Sequence, residues 1–307
     1  MNGRRRATSG TIVAIAAVLA VLLGGSPALA SVPATPRVDG VRVCDKFGST
    51  PVAGGRYEVQ NDVWGADTRQ CVTAFDVGFV VDPAEHHKEH EPAAYPSIVW
   101  GCNYGNCTKD SPFPRPVSQL AGLRSSWAVS VPPTGDYNVS YDLWMDPTPR
   151  RDGRPTGLEL MIWLKNSPRV QPIGEKKAEV TIDGAAWDVW LGSIDLPTIS
   201  YVRQEPTLEV TDLPLDQFVA DAQRRGVAKP EWYMTSVQAG FEPWIGGAGL
   251  TTRSFSTTLG AFTDARATRR SFAGPASWAV PHRGRAPRPA RGAPPAAGAA
   301  ACGRRSR

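Results

Sequence analysis

The stretch Leu158-Glu159-Leu160-Met161-Ile162-Trp163-Leu164 constrains this chain more than any other. A β-strand sends successive side chains to opposite faces. Leu158, Leu160, Ile162 and Leu164 then share one face, which reads as core, and Glu159, Met161 and Trp163 share the other. A carboxylate beside a thioether and an indole is out of place on a plain wet surface. It suits a cleft that takes something flat and hydroxylated. A second glutamate has similar surroundings, in Gln238-Ala239-Gly240-Phe241-Glu242-Pro243-Trp244.

The rest of the chain repeats the strand signature. Turn signals at Gly54-Gly55, Pro132-Pro133-Thr134-Gly135, Asp152-Gly153, Asp183-Gly184 and Gly246-Gly247 separate short β-branched and aromatic runs. These runs include Tyr57–Trp64, Val72–Val81, Ala128–Val131, Tyr137–Trp144 and Glu179–Ile182. One segment has a different period: Leu215, Phe218, Val219 and Ala222 recur at helical spacing between Asp212 and Gly226, which predicts a helix over 214–225. Many strands and one short helix predict an all-β sandwich or jelly roll, and the roughly 220 residues from 41 to 263 suffice for one such domain.

The two ends differ in kind from the middle. Residues 1–30 read as a secretory signal peptide: Arg4, Arg5 and Arg6, an apolar run from Thr11 to Leu23, and Ala28-Leu29-Ala30 before Ser31. That run is too short to span a bilayer. Residues 31–40 read as a linker. In 264–307, 34 of 44 residues are Ala, Arg, Pro or Gly, a composition that cannot bury enough apolar surface to fold; it is expected to be a disordered tail, either genuine or the product of a frame shift. The whole chain carries 34 basic and 29 acidic residues. The first 30 residues hold 3 of the basic ones, and the tail holds 10 with 1 acid, so 31–263 keeps 21 basic and 28 acidic, net −7. The basic balance belongs to the ends. The acidic middle argues against nucleic acid as a partner and fits a neutral ligand.

Four cysteines of a secreted middle region point to two disulfides. Cys102 and Cys107 are close enough to close a small turn-rich loop, which leaves Cys44 with Cys71; Cys302 is the odd one, in the tail. No CxxC pair supports a zinc site. His86, His87 and His90, between Pro83 and Pro92, read as a charged surface loop rather than a metal site. No metal and no cofactor is expected. No histidine stands in a nucleophile-elbow context, and no glycine-rich phosphate loop follows a strand.

Strand parity extends to the neighbours of Glu159. Ser140, Asp142 and Trp144 share a face, as do Glu58, Gln60, Asp62 and Trp64, and as do Ser236, Gln238, Gly240 and Glu242. An antiparallel sheet with one wet face gives that alternation without any function. It does not account for Trp64, Trp144 and Trp163 on the wet side. Indoles in a row make a stacking platform for sugar rings. Two carboxylates across such a platform are the equipment of glycoside hydrolysis. Asp142 is a candidate partner that holds one carboxyl and adjusts its pKa. The rival from another class is a non-catalytic carbohydrate-binding protein of the same shape.

In chain order, Cys44-Asp45-Lys46-Phe47, Tyr57–Gly65, Tyr95-Pro96-Ser97, Cys102–Cys107, Tyr141-Asp142-Leu143-Trp144, Glu159–Trp163, Gln171-Pro172-Ile173-Gly174 and Gln238–Trp244 resemble glycoside hydrolase family 12, the small retaining endoglucanases. The resemblance implies a jelly roll of two curved antiparallel sheets and a cleft on the concave face. It implies Glu159 as nucleophile, Glu242 as general acid/base and Asp142 against the nucleophile. It implies Trp64, Met161 and Trp163 lining sugar subsites and puts Asp62 at a sugar-binding position; Trp144 is a further substrate-binding candidate from its place on the wet face. The implied substrate is a β-1,4-glucan, cut outside the cell by a monomer that meets no membrane once its signal is removed. Xyloglucan and mixed-linkage β-glucan are alternative substrates. One departure stands out: where the family usually has Asn-Asn before x-Trp-Gly, this chain has Asn61-Asp62.

Overall fold

Alternation along the strands is realised as two stacked sheets. The computed structural model describes residues 39–260; the segment 1–30, nearly all of the linker 31–40, the tail 264–307 and Cys302 lie outside them. In chain order the strands are β1 Val41–Val43, β2 Ser49–Val52, β3 Tyr57–Gln60, β4 Gln70–Phe75, β5 Gly78–His87, β6 Ser97–Asn103, β7 Asn106–Cys107, β8 Arg115–Pro116, β9 Leu123–Ser130, β10 Asp136–Asp146, β11 Leu158–Asn166, β12 Glu175–Ile182, β13 Ala185–Ser193, β14 Pro197–Arg203, β15 Glu209–Pro214, β16 Tyr233–Gly247 and β17 Thr251–Leu259, with one α-helix, α1, at Leu215–Arg224.

The inner sheet runs β2-β3-β6-β16-β10-β11-β14-β13-β12. The outer sheet runs β1-β4-β5-β17-β9-β15. They meet where the end of β5 leaves the outer sheet and pairs with Ile245–Gly247 of β16. This is a β-jelly roll, as the turn and strand pattern predicts. The inner sheet departs from the antiparallel expectation at one place: β11 and β14 are parallel, with Glu159 opposite Thr198.

The core lies between the sheets. From β11 it takes Leu158, Leu160, Ile162 and Leu164, all without solvent exposure, as parity requires. From β10 it takes Val139, Tyr141, Leu143 and Met145, and from β16 Val237, Ala239 and Phe241. Aromatic pairs cross the layer edge to face: Tyr57 with Phe255 at 5.1 Å, Phe79 with Phe241 at 5.8 Å, and Trp127 with Tyr141 at 5.0 Å between ring centres. Such geometry adds about 0.5–1.5 kcal/mol to the area buried.

Six outer strands cannot cover nine inner ones. The helix covers part of the remainder: Phe218 packs edge-on against Trp187 of β13 at 4.9 Å and Tyr201 of β14 at 5.2 Å. It ends at Gly226, whose φ of 75° a β-carbon would disfavour. The predicted helix over 214–225 is therefore present to within a residue at each end.

Two predicted strands are shorter than their apolar runs. Val72–Val81 is a hairpin that turns at Asp76-Val77, with Asp76 at φ 39°. Tyr57–Trp64 stops at Gln60 because Asp62 is left-handed, φ 40°, and the buried Asn61 amide donates to the carbonyls of Asp45 and Gln70 instead of extending the ladder. Both expected disulfides form, Cys44–Cys71 and Cys102–Cys107. No helix of the described residues is long and apolar enough to cross a membrane.

Phe241 touches both Phe79 and Trp127 and has no exposed surface. Phe241→Ala is expected to lower stability by about 3–5 kcal/mol, read as a fall in denaturant midpoint. An unchanged midpoint would mean that packing between the sheets is not what holds them together.

Candidate active site

β10 is the axis of the site. Its non-core face carries Asn138, Ser140, Asp142 and Trp144. On one side, Trp144 lies opposite Glu159, Asp142 opposite Met161 and Ser140 opposite Trp163 of β11. On the other, Asn138 lies opposite Glu242, Ser140 opposite Gly240, Asp142 opposite Gln238 and Trp144 opposite Ser236 of β16. The two glutamates therefore flank one strand, offset along it, on the same face. Gly240 is needed between them and β6: a β-carbon there would meet the Pro96 carbonyl oxygen at 2.3 Å.

Each carboxyl has its own surroundings. Glu242 is half-buried, and burial pushes its pKa up to about 8, with the charge of Glu159 adding and the Asn138 hydrogen bond opposing. Asn138 holds Glu242 at two points: its amide donates to Glu242 Oε2, and its carbonyl accepts the Glu242 backbone N–H at 3.1 Å. Ser140 donates to the same Asn138 oxygen at 3.0 Å, which locks the amide orientation. Glu159 is also raised by burial, but Thr198 Oγ1 donates to its Oε2 at 3.0 Å and the Arg154 charge favours its ionised form. Asp142 is almost fully buried and lies well above the usual carboxylate range, through burial first and then the charges of Glu159 and Glu242. Trp144 Nε1 donates to its Oδ2 at 2.7 Å, while its buried Oδ1 has no partner among the described residues. Asp142 feels both glutamates and Glu242 feels Glu159, so the three cannot all be ionised together in a dry floor.

A hydrogen-bonded ladder continues the floor toward β3. Asn103 donates to Gln60, Gln60 donates to Ser97 and to Gln238, and Gln238 donates to Ser236, all at 2.9–3.1 Å. Beyond it, the 61–65 loop carries Asp62 and Trp64. Trp64 is 48% exposed. Asp62 is half-buried, and burial alone pushes its pKa up to about 7; its charge reaches Tyr104 and Asp142.

The row of exposed indoles expected from parity is therefore incomplete. Trp64 is open and Trp144 half-buried, but Trp163 is only 2% exposed. It packs in a small cluster with Met161 and Val170, against Val202 and Trp244, beneath the surface of the floor. Asp62 and Trp64 reach the site from a loop rather than from a continuation of β3. The histidine cluster also differs from expectation: His86 is buried on β5, with its ring between Thr68 and Gln70.

Several site residues escaped the sequence reading. Asn138 was one step further along the parity series of Ser140, Asp142 and Trp144. Thr198 lies 39 residues from Glu159, on the parallel partner strand, and nothing local marks it. Tyr95 donates its hydroxyl to the Ser140 carbonyl at 2.9 Å and feels Asp142, Glu242 and Glu159, so it lies among all three carboxyls.

The same fold is known elsewhere. An endoglucanase, cel12A, from Rhodothermus marinus superposes with a TM-score of 0.70 at 42% identity, covering 72% of this chain and 99% of that one. A probable cellulase, Cel12b, of Mycobacterium tuberculosis is 35% identical over 148 residues, 48% of this chain and 97% of that protein. A probable xyloglucan-specific endo-β-1,4-glucanase A of Aspergillus terreus is 29% identical over 227 residues, 70% of this chain and 86% of that protein. Residues 55–260, which contain every floor residue described above, match glycosyl hydrolase family 12. The chain is a member of glycosyl hydrolase family 12.

Proposed function

We propose that this glycoside hydrolase cuts internal β-1,4 bonds of glucan with retention, with Glu159 as nucleophile and Glu242 as general acid/base. The carrying observation is the difference between two glutamates on one floor. Glu242 keeps its proton at neutral pH because it is buried next to another carboxylate. Burial raises Glu159 as well, but there the Thr198 hydroxyl and the Arg154 charge oppose the rise and favour the carboxylate. That is the division of labour the reaction needs.

Glu242 gives its proton to the glycosidic oxygen as the C–O bond breaks, and a Glu159 oxygen attacks the anomeric carbon. The product is a glycosyl ester on Glu159. Esterification removes the negative charge that raised Glu242, so the pKa of Glu242 falls and its carboxylate can take a proton from water. That water displaces Glu159 with a second inversion. Asp142, held by Trp144, supports the Glu159 side of the floor. Trp64 supplies a sugar-stacking face, Trp144 a partly open ring, and Asp62 a polar contact. Met161 and Trp163 shape the floor from below.

The enzyme is proposed to be secreted, on the strength of the apolar run before Ala28-Leu29-Ala30 and two disulfides, and to act as a monomer. Relatives named for cellulose and for xyloglucan both exist. The shared β-1,4-glucan backbone is therefore the substrate proposed, and a panel of cellulose derivatives, xyloglucan and mixed-linkage glucan ranks the forms.

Glu159→Gln should abolish reducing-end release from carboxymethyl cellulose yet still bind cello-oligosaccharide in calorimetry. Substantial residual cleavage would reject Glu159 as nucleophile. Proton NMR of the first product should show the β-anomer, and an initial α-anomer would rule out retention. Because Glu242 must be protonated, kcat/KM should fall as pH rises through about 8. Asn138→Ala removes the hydrogen bond that lowers this pKa, so that alkaline limb should move to higher pH. A limb that stays in place would show that Glu242 is not the group being titrated.

A further inference from the structure

The 61–65 loop is not part of any strand, so something other than a sheet ladder must place Asp62 and Trp64. Part of the answer is backbone pairing: Asn61 N–H to Gly48, Val63 N–H to Lys46, Gly65 N–H to Ala93, and Tyr95 N–H to Asp62. The rest is a buried polar chain. Gln70 donates its amide to the Asn61 carbonyl at 2.8 Å and to Asn61 Oδ1 at 3.1 Å. Asn61 in turn donates to the carbonyls of Gln70 and Asp45. Behind Gln70 stands His86, with Nε2 2.7 Å from Gln70 Oε1 and Nδ1 2.7 Å from Thr68 Oγ1. His86, Gln70 and Asn61 are all at most 3% exposed.

The donors and acceptors along this chain have one consistent arrangement. Both partners of the Gln70 amide nitrogen are acceptors, so its NH₂ faces Asn61 and its Oε1 faces His86. His86 therefore donates through Nε2–H and accepts the Thr68 hydroxyl at Nδ1. Burial, with repulsion from His87, pushes His86 down to about 4, which keeps the ring in this neutral form. The backbone of His86 is anchored independently, opposite Gly246 on β16, the strand that carries Glu242. One end of the chain is thus tied to the strand of one glutamate, and the other end sets the loop that holds Asp62 and Trp64.

We propose that His86 is a positioning residue for the sugar-binding loop 61–65, acting through Gln70 and Asn61. The inference rests on the glucanase reading for the loop's purpose. Removing the ring leaves Gln70 Oε1 buried without a donor and frees Gln70 to turn away from Asn61. The hydrogen bonds on the carboxyls of β10, β11 and β16 involve none of these residues. The loss should therefore appear in substrate binding and not in the chemical step.

The test compares His86→Ala, His86→Gln and His86→Asn in the full chain with cellohexaose. In the alanine variant KM should rise on the order of tenfold, with kcat within about twofold of wild type. Glutamine places its amide near the Nε2 position and keeps a donor to Gln70, so it should restore KM; asparagine, which reaches only the Nδ1 side, should not. Unchanged KM, a fall confined to kcat, or equal behaviour of Gln and Asn overturns the proposal. If His86→Ala does not fold, Thr68→Val, which removes the partner of Nδ1, should raise KM in the same direction, and no change there overturns it. Hydrogen exchange gives a readout without catalysis. Amides of 61–65 should exchange faster in His86→Ala while those of α1 do not; equal acceleration in both means a general loss of stability and overturns it. A wild type that cuts no glucan would sink the proposed function, and the exchange comparison would still judge the positioning.

Discussion

The strand period of two, locked by the core, is the constraint on which everything else in this molecule depends. Leu158, Leu160, Ile162 and Leu164 have no exposed surface, and neither do Val139, Tyr141, Leu143, Val237, Ala239 and Phe241. With those side chains held between two sheets, Glu159, Asp142 and Glu242 have only the opposite face to occupy. A slip of one residue in any of the three strands would turn its carboxyl into the core and its apolar set into solvent. Packing thus brings carboxyls from three strands onto one floor.

The second constraint is electrostatic. A floor with three half-buried or buried carboxyls is unfavourable unless protons and hydrogen bonds are distributed unevenly. Here they are. Glu159 receives a hydroxyl from Thr198, Glu242 an amide from Asn138, and Asp142 an indole N–H from Trp144. The three environments differ in donor type, in burial and in nearby charge, and in the proposed mechanism those differences separate an acid from a nucleophile. Mutual repulsion makes the separation reversible: neutralising Glu159 lowers Glu242.

How much of this was legible beforehand follows from the range of each interaction. Parity over 158–164, 140–144 and 236–242 placed Glu159, Asp142, Trp144 and Glu242 on one face, because side-chain direction in a strand is local. The helix was legible for the same reason. Parity failed at Asp62 and Trp64, because the buried Asn61 amide found carbonyls of Asp45 and Gln70, 16 and 9 residues away, and the chain left the ladder. It also misjudged Trp163. Alternation tells which face a side chain takes but not how deep it lies, and Val170 and Trp244 cover that ring. His86 was read as surface from its charged neighbours, yet β5 carries it into the joint between the sheets.

Composition and periodicity are properties of short stretches, so an acidic all-β domain with two aromatic-flanked glutamates could be written down from the chain alone, disulfide pairs included. Which donor sits on which carboxyl could not. Asn138 and Glu242 are 104 residues apart, and Glu159 meets Thr198 across a parallel pairing that no turn signal announces. Those contacts exist only once sheet order and register are set. They decide the proton distribution, because a carboxyl's pKa answers to its neighbours in space and to the water they exclude.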